Sequence, residues 1–257
     1  MPTVSVVIPT YQRPDACERA LRSVLSQEPA PLEVLVCDNG SGDDTESRFR
    51  AWAEREPLVE YARIPVNSGT PAPARNEGVR RARGEWVAFL DDDDEWLPGK
   101  LAAQLEHTAE ADVIGTNAVT TDGDLYFPDA PKLRHPDRAE ILAVNPMINS
   151  SAMVRRELLL AAGGVPLVRG LEDYAGWLEL ADRGARFTIL GEPLVRYTTH
   201  GDDRVSSAPL RGEVAAARLA WRRALKHPGD GAARRAALNK TAAAVSAVRR
   251  RLAQGAS

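Results

Sequence analysis

Five consecutive acidic residues, Asp91-Asp92-Asp93-Asp94-Glu95, follow the apolar run Trp86-Val87-Ala88-Phe89-Leu90. Like charges crowded at the end of a buried strand raise one another's pKa or demand a counter-charge. A divalent cation is the natural counter-charge, and a wholly oxygen donor set suits Mg2+ or Mn2+. Such an ion can bridge two phosphates of a substrate. The competing reading is a solvated turn whose aspartates cap the helix that begins near Pro98. An EF-hand is excluded by spacing. Its loop needs Gly at the sixth position, which is Trp96 when Asp91 is the first.

Four further places carry chemistry. Asp38 ends the apolar run Leu32–Cys37, where its carboxylate could accept the imide N–H of uracil or thymine. A charge-assisted bond of that kind contributes about 1.5–3 kcal/mol. In the plainer reading, Asp38-Asn39-Gly40-Ser41 is only a turn before the next helix. Arg75, in Arg75-Asn76-Glu77-Gly78, could pair with a phosphate or with the acidic run. Glu172-Asp173 open a helical pattern, either as dipole partners or as a general base for an alcohol. His200, in Thr198-Thr199-His200-Gly201, is a metal ligand or a solvated loop residue. No GxGxxG follows a strand and no GxxxxGK[ST] occurs, so neither a dinucleotide fold nor a P-loop is supported.

These residues need a frame, and the patterning supplies one. Val4–Thr10, Leu32–Cys37, Val59–Ile64, Trp86–Leu90 and Val113–Thr120 read as buried strands. Helical patterns lie between them, over residues 14–25, 44–54, 74–83 and 98–108. The first has apolar residues at 17, 20, 21, 24 and 25, one buried stripe. This alternation predicts an α/β fold with a mainly parallel sheet and helices on both faces. Ligands of such sheets bind beyond the carboxyl ends of the strands, which is where Thr10, Asp38 and Asp91 fall. Residues 121–207 are less regular, with strands predicted at 151–155, 187–190 and 194–197 and a helix at 172–183. The tail reads as two amphipathic helices, with Leu210, Val214, Ala217, Trp221 and Leu225 on one and Leu238, Ala242, Val245, Val248 and Leu252 on the other. Pro228-Gly229-Asp230-Gly231 breaks them.

Apolar residues make up 44% and charged residues 27% of the 257, enough for a core without staples, so disordered and disulfide-rich classes are excluded. Cys17 and Cys37, in no metal spacing, fit a reducing compartment, and a cytoplasmic location is expected. No signal peptide and no membrane-length apolar run are evident. Residues 208–257 carry eleven basic and two acidic residues, a net of +9, which leaves −12 on the body. No nucleic-acid partner is expected. The favoured reading of the tail is a hairpin docked on the body. The alternative is peripheral contact of its Arg residues with anionic lipid.

Taken in order, the blocks VSVVIPTY from Val4, ALRSVLSQ from Ala20, Asp38-Asn39-Gly40-Ser41, Ala74-Arg75-Asn76-Glu77-Gly78, GEWVAFLDDDD from Gly84, Glu172-Asp173-Tyr174 with Trp177, and Tyr197 to His200 resemble the family 2 glycosyltransferases. That family shares the GT-A fold, a Rossmann-like sheet, and transfers sugars from nucleotide donors with inversion. The resemblance spans roughly residues 3–205 and implies a donor half at 1–120, a catalytic and acceptor half at 121–207, and a basic helical tail at 208–257. It implies that Pro9, Thr10 and Tyr11 line the base pocket and that Asp38 contacts uracil or thymine of a UDP- or dTDP-sugar. Arg75 and Asp92 would lie by the donor. Asp91 and Asp93 would form the DxD element, with Asp93 the direct ligand of Mn2+ or Mg2+, Asp91 nearer the ribose and His200 a further ligand. Asp173 would be the catalytic base for an acceptor hydroxyl, with Glu172 and Trp177 shaping the acceptor side. Asn39 stands where the family commonly has a second Asp, Asp92 and Asp94 leave the metal position open by one or two residues, and the tail matches nothing in the family. A non-catalytic sugar-nucleotide- or glycan-binding module and a sugar nucleotidyltransferase are the alternatives. The nucleotidyltransferase is disfavoured because Thr10-Tyr11-Gln12-Arg13-Pro14 contains no glycine.

Overall fold

A computed structural model describes residues 1–199 and 209–254. Its elements run β1 (Val4–Thr10), α1 (Pro14–Leu25), β2 (Glu33–Asp38), α2 (Thr45–Arg55), β3 (Val59–Arg63), α3 (Ala72–Arg81) and β4 (Trp86–Phe89). There follow β5 (Glu95–Trp96), α4 (Lys100–Leu105), β6 (Val113–Thr120), β7 (Leu133–Arg134) and α5 (Arg138–Ala143). A 3-10 turn at Asn149–Ser151 leads into β8 (Met153–Arg155), α6 (Arg156–Ala161), α7 (Glu172–Asp182), β9 (Phe187–Tyr197), α8 (Pro209–Lys226) and α9 (Gly231–Gln254).

The strands form one sheet in the order β3-β2-β1-β4-β8-β6-β9-β5, with β7 beside β9. From β3 to β4 every pairing is parallel. Beyond β4 the sheet is mixed, because β8 runs antiparallel to both β4 and β6 while β6 and β9 are parallel. Alternate side chains enter two cores. Val6, Ile8, Val34 and Val36 face the side covered by α1 and α2, and Val7, Leu35 and Cys37 face the side covered by α3 and α7. With both faces buried, the strands need no polar alternation, which is why they read as near-continuous apolar runs.

Register sets the site. Thr10 pairs with Asp38, and Val7 with Phe89, so β1, β2 and β4 end at one edge. Their exit loops therefore meet. Helix α3 lies unusually close to β1, since a Cβ on Gly78 would come within 2.4 Å of Val7 Cγ1. Only glycine permits that approach, and it seats Arg75, one turn earlier, against the same edge.

The tail is a helical hairpin. Ala220, Ala224, Ala233 and Ala237 form the seam between α8 and α9, and Leu219 and Ala236 join the main core. Arg223 binds Asp182 of α7, Arg138 of α5 bridges Asp230 (2.6 Å), and Lys240 Nζ donates to Ala143 O (3.1 Å). The docked reading of the tail thus describes its inner face. The predicted apolar stripe, however, is rotated by about one residue. Trp221, Leu225, Leu238 and Val245 are exposed, and alanines take the inward positions. Small residues let two helices approach closely, so they outcompete leucine for the seam.

Candidate active site

A cleft of about 670 Å³ opens over the carboxyl edge of β1, β2 and β4. That is the size of a small-molecule or cofactor site. Pro9, Thr10, Tyr11, Arg75, Asp91, Asp92, Asp93, Glu172 and Asp173 all line it. It brings together, from 82 residues apart in the chain, the acidic loop and the start of α7.

Within the acidic loop the carboxylates are sorted by their partners. Asp94 is buried, accepts Ser150 Oγ (2.5 Å) and the Thr198 N–H (2.8 Å), and so pins the loop to the 3-10 turn and to the end of β9. Burial, then the charges of Asp91 and Asp93, raise its pKa well above the ordinary carboxylate range. Asp92 accepts Thr10 Oγ1 (2.8 Å), and its pKa is pushed up to about 7 by burial first and Asp93 second, against the Thr10 bond. Asp91 is more open, bound by Arg75 Nη2 (2.5 Å) and Asn149 Nδ2 (2.9 Å) through the same oxygen. Asp93 accepts Arg13 Nη1 at 3.1 Å, and Asp92 lies 3.5 Å from that nitrogen.

Three side chains the sequence reading missed thus hold the site's charges: Arg13, Asn149 and Asn145. Asn145 Nδ2 donates to Asp173 Oδ2 (3.2 Å), whose other oxygen accepts the Tyr174 N–H (2.7 Å). Burial raises the Asp173 pKa, opposed by the Tyr174 bond, the positive charge of Arg75 and the Asn145 bond. Its neighbour Glu172 is buried and accepts Thr70 Oγ1 from the opposite wall. Arg75 is buried against Asp91, and among the described residues its Nε has no hydrogen-bond partner. A buried guanidinium nitrogen without a partner is an unmet donor beside the cleft. Gln12 adopts φ 53° and donates its N–H to Ser41 Oγ (2.9 Å), bending the exit of β1 into the cleft wall. No spacing signal marks Arg13, Asn145 or Asn149. The only local hint is Arg13 beside Pro14, at a strand-to-helix turn.

Two expected site residues are placed differently. Asp38 lies behind the cleft rather than in its lining, with Oδ1 accepting the Ser41 N–H (2.8 Å) and hydroxyl (2.6 Å) and Oδ2 accepting Tyr61 Oη (2.6 Å). The carboxylate is buried and turned toward these partners. Asn39 lines the wall instead, tied by its amide to Asn67 Oδ1 (3.2 Å) and Thr70 O (3.1 Å). Trp177 is one helical turn beyond Asp173 and sits in the core, not on an acceptor wall. His200 falls outside the described residues.

Divalent-ion binding can be tested on the donor set. Among the described residues no three His, Cys, Asp or Glu side chains converge into a cage. Mg2+ and Mn2+ do not require one, since they take one or two carboxylates and leave the other positions to water and substrate phosphates. Asp91 and Asp93, oxygen donors on one wall of the cleft, fit that mode.

Comparison with known proteins supplies independent support. Residues 5–160 match the family model described as glycosyl transferase family 2. The chain is 30% identical over 205 residues to TuaG of Bacillus subtilis, named as a teichuronic acid biosynthesis glycosyltransferase, with 76% of this chain and 79% of TuaG covered. It is 34% identical over 222 residues to WcaA of Escherichia coli, named as a colanic acid biosynthesis glycosyl transferase, covering 82% of this chain and 77% of WcaA. In structure it resembles residues 1–349 of S. aureus TarS in complex with UDP-GlcNAc, at TM-score 0.68 and 23% identity over 85% of this chain and 66% of that one. It also resembles a mannosyltransferase from Pyrobaculum calidifontis in complex with GDP-Man and Mn2+, at TM-score 0.66 and 26% identity over 99% of this chain and 79% of that one. The fold is the GT-A fold expected from the sequence.

Proposed function

The chain belongs to glycosyltransferase family 2, and on that premise we propose that it moves a sugar from a nucleoside diphosphate-sugar to an acceptor hydroxyl with inversion, using Asp173 as general base. The observation that carries this reading is the shared cleft. One wall holds Asp91, Asp93 and Arg75, and the other holds Asp173, a carboxylate whose pKa is raised by burial. A base with a pKa moved toward neutrality takes the acceptor proton more readily than an ordinary carboxylate. Opposite it, Arg75 and Arg13 place fixed positive charge where the leaving diphosphate gains negative charge. Attack from the Asp173 side, away from the departing diphosphate, inverts the anomeric carbon. Asp91 and Asp93 would hold Mn2+ or Mg2+, and the ion, when bound, offsets the charge of the diphosphate. The relatives named for teichuronic and colanic acid biosynthesis support an acceptor within a growing glycan.

The choice of base is left to the walls around Asn39, because Asp38 is withdrawn from the cleft. The structural relatives themselves were solved with different nucleotides, UDP-GlcNAc in one and GDP-Man in the other. Thermal-shift titration of UDP, dTDP and GDP, each with Mn2+ and with a chelator, tests the proposal. At a hundredfold excess over Kd the bound nucleotide stabilises the fold by about 2.7 kcal/mol. A melting temperature indifferent to all three diphosphates at millimolar concentration would reject the donor assignment, and a metal-independent shift would reject the role of Asp91 and Asp93.

A further inference from the structure

The hairpin turns its larger apolar residues outward. On α8, Trp221 and Leu225 lie one turn apart and are 39% and 75% exposed. On α9, Leu238 and Val245 share a stripe with Thr241 and are 58% and 45% exposed. Trp221 Nε1 donates to Thr241 Oγ1 (2.9 Å), which joins the two stripes into one face across the seam. Exposed basic residues lie on the same side of both helices, Arg218 and Arg222 on α8 and Arg234 on α9, with Lys226 and Arg235 beside them. Among the described residues, docking on the body is done instead by Arg223 and Lys240 on the inner side.

We propose that this face is a membrane-surface site, and that its occupant is the anionic headgroup layer of a lipid bilayer. Apolar side chains that could have been buried in the seam are instead held at the surface, with a Trp among them whose indole suits the boundary between headgroup and acyl chain. The surrounding guanidinium and ammonium groups complement anionic headgroups. A second copy of the chain fits poorly, since face-to-face pairing would set one basic hairpin against another in a tail of net charge +9. No described helix is long and apolar enough to cross a membrane, so the contact is peripheral. Because α9 rests on α5, whose chain continues to Asn145 in the cleft wall, docking would hold the cleft close to the bilayer.

The test is co-sedimentation of the full chain with phosphatidylcholine vesicles and with vesicles containing one-third phosphatidylglycerol, at low and high salt. Binding is expected only to the anionic vesicles, falling at least tenfold at high salt. Leu225→Glu with Leu238→Glu should lower binding at least tenfold with an unchanged melting temperature, because both side chains are exposed. Arg222→Ser with Arg234→Ser, which leaves the apolar residues intact, should weaken it severalfold. Failure to bind anionic vesicles at low salt would overturn the proposal. So would wild-type binding by the Leu225/Leu238 double variant, or a dimer in analytical ultracentrifugation that this variant dissociates.

Discussion

Two acidic segments face each other across the cleft, and they are built for different tasks. In the loop after β4, Asp91 and Asp93 are met by full positive charges from Arg75 and Arg13. At the start of α7, Asp173 is held by the amides of Asn145 and Tyr174 and is raised in pKa by burial. Counter-charge offsets the repulsion on a carboxylate crowded among others. Desolvation with neutral donors leaves it able to accept a proton. Arg75 connects the two, paired to Asp91 while its charge also acts on Asp173.

The contrast is broken most severely on the α7 side. Asp173→Asn keeps the shape and the Asn145 contact region but removes the base, so turnover should fall by about 10²–10⁴-fold. Calorimetric affinity for the donor nucleotide should be unchanged, because the opposite wall is intact. Undiminished transfer would end the assignment. On the loop side, Asp93→Ala should lower turnover by about 10²-fold and should show instead as weaker Mn2+ dependence. A Mn2+ titration of activity separates the two variants, and an unaltered titration in Asp93→Ala would move the metal position to another carboxylate of the loop.

The difference between charge-matched and desolvated carboxylates can be sharpened within the loop itself. Asp92 is buried and its pKa is pushed up to about 7, so the folded chain holds a proton there at pH values where the unfolded chain has lost it. Folding therefore takes up a proton between the ordinary Asp pKa of about 4 and about 7, and stability falls as pH rises through that window. Asp92→Asn keeps an acceptor for Thr10 and removes the penalty. In the presence of a chelator it should raise stability by about 1–3 kcal/mol at pH 8, with the gain vanishing below about pH 4. Thermal melts of both proteins across that range measure it, and an equal gain at every pH would assign the effect to something other than the buried charge.

Much of this arrangement was legible in the sequence because it is local. Near-continuous apolar runs gave β1, β2 and β4, and the carboxyl ends of adjacent parallel strands had to meet. The acidic run and Glu172-Asp173 stood out as charge where a fold needs a reason for it. What was missed depends on direction or distance. Asp38 and Asn39 are neighbours at a strand end, and nothing in composition tells which side chain meets solvent and which turns back to Ser41 and Tyr61. Trp177 shares a helical face with Asp173 but lies one turn deeper, where the cleft has given way to core. Asn145 and Arg13 reach the site from residues far off in the chain, and their value appears only when the sheet assembles. In the hairpin, hydrophobicity alone pointed the leucines inward, whereas close approach of the helices selected alanine.

The finest test of the contrast concerns Asn145, which contributes to Asp173 without carrying charge. Its Nδ2 bond favours the ionised carboxylate and so holds the Asp173 pKa below the level that burial alone would set. A general base works only when deprotonated, so the acid limb of kcat/KM should fall above the ordinary carboxylate pKa. Asn145→Ala removes a donor to the charged form and should move that limb to still higher pH, by no more than about one unit, with the plateau rate nearly retained. Asn145→Asp places a like charge beside the base and should move it further in the same direction. A limb that stays in place in both variants, with only the plateau lowered, would show that Asn145 shapes the wall without tuning the base, and that desolvation alone separates Asp173 from the carboxylates across the cleft.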